Sequence, residues 1–233
     1  KVGLTPIPGS DDALPSLAEA KAFAKSLGYP VTLKAVAGGG GKGIRMLNDE
    51  AELEAAFERA RSEALTSFGR SDLYLEKKIL SPKHIEVQIL GGRGQVVHLF
   101  ERDCSIQRRN QKVIEIAPAL GTRERVREEI RKQALTLSKY AKYEGLGTVE
   151  FLVDKADNIY FLEVNPRIQV EHTVTEMITG IDLVQASILV AAGFPLNHPL
   201  IGIESQESIR INGAAIQCRI TTEDPRKDFA PDT

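Results

Sequence analysis

The amino-acid sequence predicts an α+β fold made of antiparallel sheets with flanking helices. Two segments, residues 84–100 and 147–165, each contain two β-type runs joined by a short turn, which is the pattern of a β-hairpin. Longer segments at residues 123–143 and 175–192 place apolar residues at helical spacing. Strands joined by tight turns are antiparallel, so hairpins separated by helices indicate this class.

The first third of the chain is predicted to hold two helices and three strands. Residues 1–14 are rich in Pro, Gly and Asp and are predicted to form a connecting segment. Asp49 and Glu52 form a capping pattern that begins the second helix. In order, the predicted elements are a helix at 16–27 that ends at Gly28, strands at 30–36 and 44–47, a helix after Asp49, and a strand at 73–77.

The remaining two thirds are predicted to contain two hairpins and two helices. A polar, basic stretch at residues 101–112 carries no predicted element, and residues 215–220 suggest a last strand that opens a further subdomain. In order, the predicted elements are strands at 84–90 and 95–100, a helix at 123–143, strands at 147–154 and 159–165, and a helix at 175–192.

Composition and charge exclude several classes of function. With 42% apolar and 27% charged residues, the chain has an ordinary globular composition. Its net charge of -2 gives no general attraction for nucleic acid or for an anionic membrane. No apolar run approaches the roughly 20 residues that span a bilayer. We therefore expect a soluble protein without a nucleic-acid or membrane partner.

The two cysteines indicate a reducing compartment. Cys104 and Cys218 lie far apart in the sequence, which favours neither a disulfide framework nor a zinc site. The expected location is the cytoplasm, with the mitochondrial matrix as the alternative. The chain begins at Lys1 without a methionine and stops at Thr233 after a charged turn, so we expect a fragment of a longer protein.

A glycine-rich loop at residues 37–43 indicates a polyphosphate site. Its four consecutive glycines expose backbone N–H groups, and Lys42 adds a positive charge. A Walker loop or a Rossmann fingerprint would open a helix, whereas this loop links two strands. The alternative is a flexible hairpin tip. Lys34, in the strand before the loop, points either towards the phosphates or to solvent.

The second hairpin predicts a metal site. If Asp154 opposes Ile159, then Glu150 opposes Glu163, and two like charges face one another unless a cation lies between them. Alternation along the strand places Asn165 on the same face. Because all of these candidate ligands carry oxygen donors, Mg²⁺ or Mn²⁺ held together with nucleotide phosphates is expected.

The same face is predicted to continue beyond the metal site. Leu152 and Phe161 would pair there as an apolar floor, and Arg167, Gln169 and Glu171 keep the same parity after the strand. These last three are candidates for binding a second substrate. The alternatives are two glutamates exposed to solvent, or a register slip by one residue that would separate the carboxylates.

Together, these motifs resemble the biotin carboxylase family of ATP-grasp enzymes. The resemblance covers nearly the whole chain, and its ending at residues 215–225 is most similar to the pyruvate carboxylases. The residues that carry it are Lys34 with GGGGKG at 38–43, Glu76 with Lys77, ERDCSIQRR at 101–109, GTVEF at 147–151 and EVNPRIQVEH at 163–172.

The resemblance implies a two-step reaction and its cofactors. Bicarbonate would attack the γ-phosphate of ATP to give carboxyphosphate, which would then carboxylate N1 of a protein-bound biotin. The implied cofactors are ATP, Mg²⁺ or Mn²⁺, and biotin. The implied partners are bicarbonate, a biotin carboxyl carrier domain and a carboxyltransferase domain, in a homo-oligomer when intact.

The resemblance also implies a domain division. Residues 1–205 would form the ATP-grasp domain, with a glycine-rich flap subdomain at about 15–77 and a metal and bicarbonate subdomain at about 78–205. Residues 206–233 would begin a truncated C-terminal subdomain.

Roles are carried over from the family position by position. The metal would be held by Glu150, Glu163 and Asn165. Phosphate and ribose would be bound by Lys34, Gly39, Gly40, Gly41, Gly43 and His84, and the adenine by Glu76, Lys77 and Ile79, with Gln107, Asn110 and Leu152 also placed at the nucleotide. Bicarbonate would be bound by Lys112, Arg167, Gln169 and Val170, with Glu171 as the general base and Arg219 stabilising the biotin enolate.

Two rival hypotheses stay open, and the second of them rests on two departures of the chain from the family. Asn110 stands where the family usually has histidine, and the family's N-terminal lobe, with a further ATP-contacting lysine, would precede Lys1. One rival is another ATP-grasp ligase, similar to carbamoyl-phosphate synthetase. The other is a nucleotide-binding module without catalysis.

Overall fold

The computed structural model describes residues 2–38, 43–108, 110–227 and 229–231. Four residues of the predicted phosphate loop, Gly39, Gly40, Gly41 and Lys42, lie outside the described residues, as does Arg109 of the basic stretch. The chain divides into two compact units: residues 6–80 form the smaller, and residues 1–5 with 81–233 form the larger.

The smaller unit is a three-stranded antiparallel sheet with two helices. Its strand order is β2-β1-β3, and alternate residues of β1 are buried, as expected for a sheet covered on one face. The helices supply Ala20, Ala24, Leu53 and Phe57 to one apolar core with the sheet. The elements are α1 (Leu17–Leu27), β1 (Val31–Ala35), β2 (Ile44–Leu47), α2 (Glu50–Phe68) and β3 (Leu73–Lys77).

The predicted start of the second helix is confirmed by its cap. The backbone N–H of Glu52 donates to Asp49 Oδ1 at 2.9 Å, and the Glu52 carboxylate accepts from the backbone N–H of Asn48 at 2.6 Å. These bonds satisfy N–H groups that the first turn of a helix leaves without a partner. The capping pattern in the sequence therefore fixes where α2 begins.

The larger unit is built on a six-stranded antiparallel sheet of order β8-β7-β4-β5-β6-β9. Its strands are β4 (Lys83–Gly92), β5 (Gln95–Arg108), β6 (Gln111–Ala117), β7 (Gly145–Val153), β8 (Ile159–Asn165) and β9 (Ala215–Cys218). Its helices are α3 (Glu124–Tyr140), α4 (His172–Thr179) and α5 (Leu183–Ala191), and a short separate pair is formed by β10 (Glu223–Asp224) and β11 (Ala230–Pro231).

One face of the six-stranded sheet is apolar where it packs against α3, and part of the opposite face is polar. In β4, Ile85, Val87 and Ile89 are buried in a core to which α3 contributes Val126 and Ile130. The side chains that alternate with them, starting at His84, point to the opposite face. The polar side chains described below are held on this second face.

Two predictions of secondary structure are wrong. Residues 101–112 were expected to lack regular structure, but β5 runs to Arg108 and β6 begins at Gln111. Asn110 lies in the turn between them with φ 60, a left-handed conformation that asparagine tolerates. The hydrophobic pattern did not reveal these strands because their buried residues include charged ones such as Glu101 and Arg102.

The helix predicted at 175–192 is two helices. The first begins earlier, at His172, and ends at Gly180, whose φ of 70 is left-handed. The second begins after Asp182, whose side chain accepts from the backbone N–H of Gln185 at 2.7 Å. In the described part of the chain no single helix is long and apolar enough to cross a membrane. Helices α4 and α5 pass that test only as a pair, bent by 98°.

Candidate functional site

The β7–β8 hairpin brings two glutamates face to face. Glu150 pairs with Glu163, as the sequence predicted, and Thr148 pairs with Asn165. The predicted register nearer the turn is wrong, because Val153, not Asp154, pairs with Ile159. Asp154 belongs to the turn, where its carboxylate accepts from the backbone N–H groups of Ala156 and Asn158 at 2.8 and 2.9 Å.

A β-bulge restores the predicted pairing of the glutamates. The register shifts between Phe151 and Glu150, which leaves Leu162 as the extra residue of β8. As a result, Phe161 pairs with Phe151 in the apolar core, with ring centroids 6.2 Å apart, so the predicted floor of Leu152 and Phe161 is wrong. Leu152 pairs instead with Tyr160 and stays half-buried on the side of Glu150.

Asn165 joins the two glutamates. Its side-chain amide donates to Glu150 at 2.9 Å and to Glu163 at 3.1 Å. Glu150 is buried, whereas Glu163 is exposed. Both carboxylates present oxygen atoms that suit a hard divalent cation, and the side-chain amide of Asn165 carries a further oxygen. This donor set fits Mg²⁺ or Mn²⁺.

Three carboxylates meet at one ammonium group. Lys112 Nζ lies 2.5 Å from Glu86, 2.7 Å from Glu171 and 3.0 Å from Glu150. Burial alone would lower the pKa of Lys112, but the negative charges around it, that of Glu86 foremost, raise it above its usual range. The lysine therefore stays charged and occupies the space that these carboxylates share.

Arg102 is the buried centre of the same face. Its guanidinium is fully buried and is held by side chains from several elements. The partners are Glu86 at 2.6 Å, Gln88 at 2.6 Å, Thr175 at 2.9 Å, Gln169 at 3.2 Å and Thr148 at 3.3 Å. Burial raises the pKa of Glu86, but Arg102 and Lys112 more than offset it, so its pKa is lowered. Buried charges are tolerated because each is paired.

The residues after β8 turn back towards this centre. Gln169 is buried and donates to Glu150 at 2.9 Å. Glu171 is also buried, and its second oxygen accepts from Arg219 Nη2 at 2.8 Å. Arg167 is exposed and reaches Asn165 Oδ1 at 3.3 Å, while Val170 is 62% exposed. Lys112, Gln169, Glu171 and Arg219 are thus brought together, with Arg167 at the edge of the group.

His84 holds the other side of Glu150. Its Nε2 lies 2.6 Å from Glu150, and the side-chain amide of Gln107 lies 2.9 Å from its Nδ1. An amide N–H donating to Nδ1 leaves Nε2 as the protonated nitrogen that donates to Glu150. Burial raises the pKa of Glu150, but the hydrogen bond from His84 and the charge of Lys112 lower it to about 2.

The predicted nucleotide residues of the smaller unit lie on and beside its sheet. Lys34 forms an ion pair, in which its Nζ lies 2.5 Å from the carboxylate of Glu76. The two residues come from the neighbouring strands β1 and β3. Lys77 donates to the backbone oxygens of Gly28 and Tyr29 at 2.6 and 3.3 Å. Ile79 is half-buried and Gly43 has a φ of 74. Their nucleotide roles, and that of exposed Asn110, stay predictions.

Sequence reasoning missed several residues of the larger unit. Glu86 was not predicted, although the alternation of His84, Glu86 and Gln88 with apolar residues marks one polar face of β4. Strand pairing sets Glu86 directly opposite Glu150. Gln88, Thr148 and Thr175, which hold Arg102 together with the predicted Gln169, were missed as well. So was the buried Glu115 beside Arg219.

Comparison with known proteins reveals a family. A model described as the carbamoyl-phosphate synthase L chain, ATP binding domain, matches residues 1–199. Pyruvate carboxylase of Staphylococcus aureus is 55% identical over 100% of this chain and 20% of its own length. The 2-oxoglutarate carboxylase small subunit of Hydrogenobacter thermophilus is 53% identical over 99% of this chain and 48% of its own length.

Solved structures agree with the sequence relatives. The biotin carboxylase domain dimer of Hydrogenobacter thermophilus 2-oxoglutarate carboxylase, in complex with MgADP, ADP and bicarbonate, matches with TM-score 0.91 and 53% identity. Biotin carboxylase from Campylobacter jejuni in a β-γ-ATP complex matches with TM-score 0.91 and 50% identity. The chain covers 50% of each of these two chains and is itself covered to 99%. The chain therefore belongs to the family of the carbamoyl-phosphate synthase L chain ATP-binding domain, and its fold is the ATP-grasp fold of biotin carboxylase domains.

Proposed function

We propose that this chain carries out the MgATP-dependent carboxylation of protein-bound biotin by bicarbonate, through carboxyphosphate, as the biotin carboxylase part of a pyruvate carboxylase-like enzyme. The observation that carries the proposal is the position of Glu171. This carboxylate lies between Lys112 and Arg219 at the end of the hairpin that bears Glu150 and Glu163. A base, two cations and a metal-type carboxylate pair are thus close together.

The metal is proposed to lie at the outer edge of this face. Glu150, Glu163 and Asn165 would hold Mg²⁺, or Mn²⁺ in its place. Phosphoryl transfer needs charge neutralisation and alignment more than covalent help, and a bound divalent ion supplies that neutralisation. The chain itself fixes Glu150 between His84 and Lys112, so the carboxylate is oriented before nucleotide arrives.

The bicarbonate step is assigned to the group around Glu171. Lys112 and Arg167 are the proposed binding cations, with the amide of Gln169 and the backbone near Val170 beside them. An arginine fork suits a planar oxyanion, because two N–H groups can reach two oxygens. Glu171 would take the proton of bicarbonate, and its burial keeps bulk water from competing for that role.

The partners follow from the relatives rather than from this chain. We propose a biotin carboxyl carrier domain and a carboxyltransferase domain, because the chain spans 20% of the pyruvate carboxylases it matches. We propose that the intact protein is a homo-oligomer, since one similar structure is a domain dimer. The proposed compartment is the cytoplasm. The mitochondrial matrix is the alternative, because the human relative, 53% identical, is named mitochondrial.

The domain division is also a proposal. Residues 1–205 would act as the ATP-grasp domain, and residues 206–233 would begin a further subdomain. In the structure, β9 from this last segment forms the edge of the six-stranded sheet beside β6. Arg219 follows β9 directly, so this segment contributes one residue to the proposed site.

The second candidate function is that of an ATP-grasp ligase similar to carbamoyl-phosphate synthetase. The description of the matching family favours this reading. ADP release by the intact protein, with MgATP and bicarbonate, distinguishes the candidates. We expect release that depends on free biotin. Release that needs bicarbonate but not biotin would favour the second candidate, and nucleotide binding without release would indicate a module without catalysis.

A substitution of the proposed base tests the assignment of roles. Glu171→Ala should leave MgADP affinity within about twofold and reduce biotin-dependent ADP release by about 100-fold or more, the usual contribution of a general base. The control is Glu144→Ala, which removes an exposed glutamate from the turn before β7. Wild-type turnover in Glu171→Ala would remove this residue from the mechanism.

A further inference from the structure

Arg219 is bound by two carboxylates, one of which has no assigned role. Glu115 of β6 is completely buried, and its Oε1 accepts from Arg219 Nε at 2.7 Å and from Nη2 at 2.6 Å. The same Nη2 donates to Glu171 at 2.8 Å. The side chain of Arg219 is 29% exposed, so a buried anion holds a guanidinium that solvent or a ligand can reach.

The backbone brings Glu115 and Arg219 together. Strands β6 and β9 pair with Glu115 opposite Gln217, and the backbone N–H of Arg219 donates to Val113 O at 2.9 Å. The second oxygen of Glu115 accepts from the amide of Gln217 at 3.2 Å. Thr173, two residues after Glu171, donates to Gln217 Oε1 at 2.5 Å. Glu115 is therefore tied to both segments that carry Arg219 and Glu171.

These bonds restrict the orientation of the guanidinium. Its donors lie in one plane, so fixing Nε and Nη2 also fixes the direction of Nη1. Among the described residues, Nη1 makes no hydrogen bond or ion pair. One edge of Arg219 is thus occupied by protein carboxylates, and the other edge is available to a ligand with an acceptor oxygen.

Glu115 and Arg219 depend on each other. Burial raises the pKa of Glu115, and the adjacent Arg219 opposes that rise. If the arginine moved away, a buried carboxylate would lose its cation, which is costly. Rotation of the guanidinium into solvent would therefore cost free energy, and its orientation is set by the fold.

We propose that Glu115 is a positioning residue that holds Arg219 so that its Nη1 edge faces the oxygen of a cyclic urea acceptor, the ring type of biotin. The inference rests on the proposed function, in which Arg219 stabilises the negative charge that this oxygen gains. Glu115 does not touch the acceptor. It affects the reaction by fixing the orientation of the Arg219 guanidinium.

Two substitutions in the intact protein test this role by steady-state kinetics. Glu115→Leu removes both acceptor oxygens, and Glu115→Gln keeps an acceptor without the charge. We expect kcat/KM for free biotin to fall by about 10-fold or more in Glu115→Leu, and by less in Glu115→Gln, as for loss of a charge-assisted hydrogen bond. KM for MgATP and the affinity for MgADP should stay within about twofold.

The matched control is Glu101→Gln. Glu101 is also a completely buried carboxylate that holds arginines, with Arg127 at 2.5 Å and Arg131 at 2.8 Å, but these come from α3 on the apolar side of the sheet. It should lower thermal stability without changing kcat/KM for biotin. Wild-type kcat/KM for biotin in both Glu115 variants would overturn the proposal, as would an equal loss in Glu101→Gln.

A second measurement keeps the two proposals separate. If the wild-type protein shows no biotin-dependent ADP release, the proposed function fails, and NMR then tests the positioning alone. The Arg219 Nε–H signal, identified by its loss in Arg219→Lys, should exchange slowly with solvent in the wild type and at least about 10-fold faster in Glu115→Leu. Equal exchange rates would overturn the positioning role.

Discussion

Lys112 fills one side of the proposed metal site. Its ammonium lies within 3.0 Å of carboxylate oxygens from Glu86, Glu150 and Glu171, so the space between these three groups is filled. Glu163, in contrast, has no cationic partner within the described part of the chain and is exposed. A metal ion would therefore gain most from Glu163, whose charge is the least compensated.

This difference predicts the effect of Glu163→Gln. In the presence of Mg²⁺, the affinity for MgADP should fall by about 10-fold or more, because a neutral amide is a weaker ligand for a hard cation. The affinity for ADP in EDTA should not change. Isothermal titration calorimetry with and without Mg²⁺ measures both, and Glu129→Gln on α3 is the control. Unchanged Mg²⁺-dependent affinity would contradict the metal assignment.

The alternation of side chains along the β7–β8 hairpin predicted some contacts correctly and others wrongly. The pairing of Glu150 with Glu163 followed from alternation, but the face of Phe161 did not, because the bulge at Leu162 leaves no signal in a hydrophobic pattern. The role of Arg102 was not predictable from local sequence. Its five partners come from β4, β7, α4 and the loop before α4, and only the folded sheet brings them together.

The break between α4 and α5 is set by backbone conformation. Gly180 has a φ of 70, and a Cβ built there would meet no atom within 4 Å. A side chain introduced at position 180 would therefore cause backbone strain but no steric clash of its Cβ. Helix α4 carries Thr175, a partner of Arg102, so the position of the break matters for the site.

We expect Gly180→Ala to lower the free energy of unfolding by about 1 kcal/mol, the cost of a left-handed conformation for an L-residue. Gly180→Asn should lose less, since asparagine tolerates this region. Urea denaturation of the two variants measures the difference. Equal stability of the alanine variant and the wild type would show that the break does not depend on this conformation.

The bounds of strands and helices were predictable where buried and exposed residues alternate along a strand, or where neighbouring residues cap a helix. The strands at 44–47, 73–77 and 159–165 have the predicted bounds, and α2 follows its predicted cap. Residues 6–14 were predicted only as a connecting segment. They lie along β3, with Ser10 donating to Leu75 O at 2.9 Å and Leu14 to Leu73 O at 2.7 Å. Backbone hydrogen bonds of this kind do not depend on a period of apolar residues, so a hydrophobic pattern does not predict them.

The stability of the larger unit should depend on pH through His98. This histidine of β5 is buried, and Arg131 of α3 and Glu101 of β5 are the charged groups that act on it. The pKa of His98 is lowered from an ordinary value of 6.5 to about 4, chiefly by burial and then by the charge of Arg131, which outweighs the opposing charge of Glu101. The unfolded chain therefore binds a proton at a higher pH than the folded chain.

The direction of the pH dependence follows from the lower pKa of His98 in the folded chain. The stabilisation from neutral His98 is complete above about pH 6.5 and is lost as the pH falls towards about 4, by at most about 3 kcal/mol. His98→Asn should flatten this part of the profile, because Asn keeps an acceptor near the Phe100 N–H that His98 Nδ1 accepts at 3.3 Å. Chemical denaturation at several pH values measures it.

The matched control for this experiment is His198→Asn. His198 Nδ1 accepts from the backbone N–H of Leu200 two residues later, also at 3.3 Å, but in a more exposed setting. This variant should keep the slope of the wild type between pH 6.5 and 4. The assignment to His98 would be wrong if the slope survived in His98→Asn.

The bulge in β8 has a further consequence, for self-association. β8 is an edge strand of the six-stranded sheet, and an edge strand exposes N–H and C=O groups with which another chain can pair. The extra residue Leu162 interrupts that row, and Thr5 covers part of it by accepting from the Phe161 N–H at 2.8 Å. The irregularity that sets Glu163 opposite Glu150 thus also protects this edge from intermolecular β-pairing and aggregation.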